Sequence, residues 1–80
     1  MLEFVNMPMH MPQVDSVLRT LCTGVGEKVG VGEILFTYEL DGALFEERST
    51  VTGAIVAVFF NENEAVSGGI PVMAIEERDS

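Results

Sequence analysis

The chain is 80 residues long, enough for one domain with a single core (residues 1–80, core about 2–77), and 48% hydrophobic with 21% charged residues is a globular composition, not a disordered one. Thirteen acidic side chains against four basic ones give a formal charge of -9, so nucleic acid and anionic membrane surfaces would repel it and a protein partner with a basic patch is favoured. A single cysteine, Cys22, excludes an internal disulfide and no apolar run approaches the roughly 20 residues of a spanning helix, which predicts a soluble cytoplasmic protein.

Leu2 to Met7 is apolar enough to start a strand and runs into Met7-Pro8-Met9-His10-Met11-Pro12, where two prolines remove two backbone donors and predict an extended connection or a sheet edge. Val14 to Thr23 predicts a second strand. Gly24 to Gly32, with four glycines in nine positions, predicts a turn region, and Ile34 to Glu39 the next strand. Asp41-Gly42 is a strong hairpin signal, because a type I′ turn needs positive φ at both central residues and these two tolerate it. Leu44 to Ser49 returns as the second arm. Gly53 to Phe60 is the most β-prone run and fits a strand buried on both faces. Asn61 to Glu64 and Ser67 to Gly69 are turns, and Val72 to Glu76 is the last strand. No apolar 3.6-residue period survives the glycines, so the chain reads as all-β, a sandwich or barrel of short strands.

The sequence also repeats. At an offset of 37, Glu27 to Glu39 lies over Glu64 to Glu76, Val17-Leu18 over Ala54-Ile55, and Leu21-Cys22 over Val58-Phe59. One unit of strand, polar turn, glycine turn and strand therefore occurs twice. Two such units pack most simply about a two-fold axis, each supplying strands to both sheets, and the Asp41-Gly42 hairpin that links them becomes a protruding, accessible tip.

From Met7-Pro8 to Glu76 the chain resembles the lipoyl/biotinyl domain family, its lipoyl branch in particular. The resemblance rests on the opening Met7-Pro8, on Gly26-Glu27-Lys28-Val29 followed by Gly32-Glu33-Ile34-Leu35, on the tip Glu39-Leu40-Asp41-Gly42-Ala43, on Gly53, and on Val66-Ser67-Gly68-Gly69-Ile70-Pro71-Val72. It implies a flattened β-barrel of two four-stranded antiparallel sheets with a pseudo-two-fold repeat. It also implies a hairpin tip whose lysine is joined by an amide to lipoate or biotin, as in carrier domains of multienzyme complexes. Lipoyl members usually read Glu-x-Asp-Lys-Ala at that tip, and biotinyl members Ala/Val-Met-Lys-Met. This chain keeps Glu39, Asp41 and Ala43 and has Gly42 where the lysine belongs.

Glycine has no amine to acylate, and the sole lysine, Lys28, sits in the first glycine-rich turn. No cofactor is therefore expected. Gly42 reads either as a good turn residue in a tip released from modification, or as part of an unmodified docking hairpin made of Glu39, Asp41, Gly42, Ala43 and Glu46, with Glu47 beside them and Arg48 their only basic neighbour. The same acids also serve as a solvated edge that discourages strand pairing. Met7, Met9 and Met11 around His10 would share one face of an extended segment, which suits either a core-covering strand or a Cu(I) site of soft sulfurs. Cys22, inside a predicted strand, reads as a packed thiol.

No catalytic set is visible: there is one histidine, and the glycine pairs precede no helix. The leading expectation is a degenerate, unmodified lipoyl-like domain that is not catalytic alone and acts as a structural or protein-docking module. The alternative is a lipoyl, or less readily biotinyl, carrier domain of an acyl-transfer or carboxylase complex whose lysine is replaced at Gly42.

Overall fold

The computed structural model describes residues 1–10 and 14–78, which form eight strands and no helix. In chain order these are β1 (Leu2–Asn6), β2 (Ser16–Leu21), β3 (Lys28–Val29), β4 (Ile34–Leu40), β5 (Ala43–Arg48), β6 (Gly53–Val58), β7 (Ala65–Val66) and β8 (Pro71–Glu77). They build two four-stranded antiparallel sheets, ordered β1-β8-β6-β3 and β5-β4-β2-β7. Among the described residues no ladder joins one sheet to the other, so the barrel is flattened rather than closed.

The offset of 37 residues takes β2 to β6, β3 to β7 and β4 to β8. It takes the irregularity between Leu18 and Thr20 to that between Ile55 and Ala57. The tight turns follow it too. Glu27 Oε1 accepts from the Gly24 amide at 3.1 Å, and Glu64 Oε1 accepts from the Asn61 amide at 2.6 Å. Gly26 and Asn63 occupy the same left-handed turn position, at φ of 93° and 71°, and glycine and asparagine are the residues that tolerate it.

The core is made of pairs related by the same offset: Leu18 with Ile55, Val29 with Val66, Leu35 with Val72, Phe36 with Met73, and Tyr38 with Ile75, joined by Met7. Alternation along each strand, interrupted by register shifts beside Leu35 and Val72 that let neighbouring side chains both be buried, sends these side chains between the sheets, where two apolar faces cover one another. Burying a large aliphatic or aromatic side chain contributes roughly 1.5–3 kcal/mol, so these central pairs carry most of the hydrophobic stabilisation.

Several sequence expectations are corrected. The glycine-rich turn and the Asn61–Gly69 region each contain a two-residue strand, β3 and β7. They exist only because Lys28 and Val29 pair with Ala54 and Gly53, and Ala65 and Val66 with Val17 and Ser16. The Gly53–Phe60 run is not buried on both faces: it ends as a strand at Val58, and Val56 and Phe59 are 46% and 50% exposed, since two sheets leave each outer face uncovered. Cys22 lies one residue past β2 and is exposed. Met7 is fully buried whereas Met9 is 62% exposed, because the chain leaves β1 at Asn6 and does not continue as a regular strand through Pro8. Met11 and Pro12 lie outside the described residues.

Candidate functional site: the β4–β5 hairpin tip

β4 and β5 pair from Ile34↔Arg48 to Leu40↔Ala43, leaving Asp41 and Gly42 as a two-residue loop. Their φ angles are 51° and 77°, the positive pair that a type I′ turn requires and that matches the right-handed twist of the arms. Asp41, Gly42, Ala43 and Leu44 are exposed. A Cβ built on Gly42 meets nothing within 4 Å.

The hairpin stands on an aromatic base. Tyr38 and Phe45 face each other across the two arms, with ring centroids 5.4 Å apart and planes 20° from parallel. His10 packs against both, at 6.2 Å from Tyr38 and 6.1 Å from Phe45. Such contacts fix the direction in which the arms leave the core. His10 Nε2 is buried with no hydrogen-bond partner among the described residues.

The acids anticipated from the sequence do not form one free patch. Arg19, on β2, donates from Nε to Glu39 Oε1 at 2.9 Å, and its guanidinium also reaches Asn63 Oδ1 at 3.1 Å. Arg48 donates to Glu46 Oε1 at 3.0 Å and to the Gly32 carbonyl oxygen at 2.8 Å. Arg48 is thus not the only basic neighbour of the hairpin. The sequence hid Arg19 because it comes from the repeat unit before the hairpin and reaches Glu39 only through the β2–β4 ladder.

Glu47 stands opposite the core residue Phe36, and burial raises its carboxyl above the ordinary range. Burial, and after it the Glu47 charge, raises the Tyr38 phenol. Asp41 is the tip carboxylate with no ion pair among the described residues. The tip therefore offers one free acid, an exposed Leu44 and a bare turn backbone.

Lys28 is exposed on β3 and belongs to the other sheet. His10 and Met9 line a shallow depression with Val14, Asp15, Ser67 and Gly68. Among the described residues no three His, Cys, Asp or Glu side chains come together in a metal-holding group, and no helix is long and apolar enough to cross a membrane.

No protein-family model and no curated protein sequence matches the chain. Among solved structures it is similar to the lipoyl domain of the 2-oxoglutarate dehydrogenase complex from Azotobacter vinelandii. That similarity has a TM-score of 0.76 and 21% sequence identity over 91% of this chain and 96% of that one. The chain therefore has the fold of a lipoyl domain.

Proposed function

We infer that this is a lipoyl-fold domain that works without a covalently attached cofactor and docks on a protein partner through the β4–β5 hairpin. The observation that carries this reading is the tip itself. Where the resemblance puts an acylated lysine there is Gly42, in open space and at φ 77°, and the one side-chain amine of the chain lies in the other sheet. The residues present do not fit lipoate or biotin, because amide formation needs a primary amine at the tip.

Docking is supported by an exposed, rigidly based turn that combines a free carboxylate at Asp41 with apolar Leu44. The net charge of -9 favours a partner whose contacting surface is basic. The chain is a non-catalytic component of a larger assembly in this reading.

A carrier ancestry is the second reading, and the retained Glu39, Asp41 and Ala43 around Gly42 favour it. One experiment tests the cofactor-free state that both readings share. Co-expression with a lipoate ligase and with a biotin ligase, followed by intact-mass measurement, should give the unmodified mass. Stoichiometric addition of either acyl group would overturn the cofactor-free reading and place the attachment on Lys28 or the Met1 amine, the two amines of the chain.

A further inference from the structure

The pseudo-two-fold symmetry supplies an internal control for the outer faces of the two sheets. In the sheet of β5-β4-β2-β7, two outward cross-strand rows read Leu44, Glu39, Val17 and Glu46, Thr37, Thr20. The rows that correspond in the β1-β8-β6-β3 sheet read Leu2, Glu76, Ala54 and Phe4, Ala74, Ala57. The irregular position holds Arg19 in the first sheet and Val56 in the second, and the position after the strand holds Cys22 in the first and Phe59 in the second. The same backbone thus carries Arg19, Glu46 and two threonines on one side and Val56, Phe4 and two alanines on the other, an apolar face whose one acid in these rows is Glu76, ion-paired with the Met1 amine at 3.4 Å.

Phe4 and Phe59 form the centre of that apolar face. Their rings stack with centroids 6.4 Å apart and planes at 24°, over an Ala74 that is only 2% exposed. They remain 52% and 50% exposed themselves, with Leu2 and Val56 beside them. Scattered surface apolar residues are ordinary, but a contiguous ridge marks an interaction surface. The fold does not require it, because Glu46 and Cys22 fill the equivalent places in the other sheet.

We propose that the outer face of the β1-β8-β6-β3 sheet, centred on the Phe4–Phe59 ridge, is a second docking surface, and that its occupant is a cationic amphipathic segment of a partner protein. Charge selects this occupant. The ridge supplies apolar contact, and a molecule of charge -9 attracts lysine- or arginine-flanked apolar residues, whereas a second copy of the chain brings a further -9. The surface is distinct from the hairpin, whose acids lie in the other sheet.

The test is a titration of the 15N-labelled protein with a synthetic amphipathic helical peptide of leucine and lysine. A second peptide has the same apolar stripe with glutamate in place of lysine. The expected result is amide shifts at Leu2, Phe4, Ala57 and Phe59 with the lysine peptide alone, and an affinity about tenfold lower or worse in Phe4→Glu/Phe59→Ser. The Asp41→Asn variant should bind as the parent does, which separates this surface from the hairpin reading. If the double variant does not fold, Val56→Arg, which copies Arg19 from the other sheet, is read in its place. Shifts confined to residues 41–44, undiminished binding by the variant, or equal binding of the glutamate peptide would overturn the proposal. Sedimentation showing a dimer that Val56→Arg dissolves would overturn it too, assigning the face to a second copy.

Discussion

Arg19 and Glu39 are joined at 2.9 Å across β2 and β4, and their counterparts 37 residues on are Val56 and Glu76. The pair is therefore a feature of one half of the molecule and not a requirement of the fold. Both side chains are about 40% exposed, so solvent screens them, and exposed pairs contribute about 0.2–1 kcal/mol. A double-mutant cycle with Arg19→Ala and Glu39→Gln, read by urea unfolding, should give a coupling in that range that shrinks in high salt. Arg19→Ala alone should also release Glu39 and make the hairpin more anionic. Docking of a basic partner at the hairpin should then tighten at low ionic strength; weaker docking would show that Arg19 itself makes the contact.

Gly42→Lys restores the amine that the resemblance implies at the tip. Nothing lies within 4 Å of the added Cβ, so the change carries no clash. The backbone is another matter: φ is 77°, and a non-glycine residue in the left-handed region costs about 1–2 kcal/mol. For a domain of this size Tm should fall by roughly 4–15 °C while the fold survives. Intact mass after co-expression with lipoate ligase should then show an acyl addition that the parent lacks. A folded variant that stays unmodified would mean that the surface a ligase reads has changed beyond this one residue.

Much of this architecture was legible because local signals agreed with global ones. The Asp41-Gly42 turn specifies its own conformation, and the offset that lays Leu18 over Ile55 and Tyr38 over Ile75 relates residues that the structure buries together. What escaped depends on partners distant in sequence. Lys28 and Val29 form a strand only against Ala54 and Gly53. The apolar run through Val56 and Phe59 looks the same whether its outer face is covered or bare, and only the layer count shows that it is bare. Arg19 is hidden as a basic neighbour of the tip for the same reason, since it meets Glu39 only once β2 has paired with β4.

Glu47 should make stability depend on pH in an identifiable direction. Burial opposite Phe36 raises its carboxyl above the ordinary 4.5, so the folded chain holds that proton more tightly than the unfolded chain does. The contribution to stability is complete below the unfolded pKa and is lost as pH rises through the folded one. Glu47→Gln should therefore have a higher Tm than the parent at pH 7, and the two melting curves should converge below about pH 4. A difference in Tm that stays constant with pH would show that Glu47 acts through packing rather than charge. The variant should also ease ionisation of the Tyr38 phenol, readable by ultraviolet titration, because the Glu47 charge adds to burial in raising it.

Gly53 is held to glycine by close approach rather than by backbone conformation. A Cβ there would collide with the carbonyl oxygen of Glu76, and would lie 2.9 Å from both its carbonyl carbon and Ile75 Cγ2. The obstacle is mainly backbone in the centre of the β1-β8-β6-β3 sheet, paired on both sides, and cannot yield as the end of a flexible side chain can. Gly53→Ala should thus cost about 3 kcal/mol or more, at the upper end of overpacking penalties, and lower Tm by more than roughly 12 °C. Ser16, 37 residues earlier, occupies the equivalent place in the other half, buried with its Oγ lacking a partner. Ser16→Ala removes only that polar atom and should change stability by less than about 1 kcal/mol or increase it. Urea midpoints for the two variants should separate widely. A mild Gly53→Ala would mean that β6 and β8 can part locally, and with them the Val56 and Phe59 positions on the outer face.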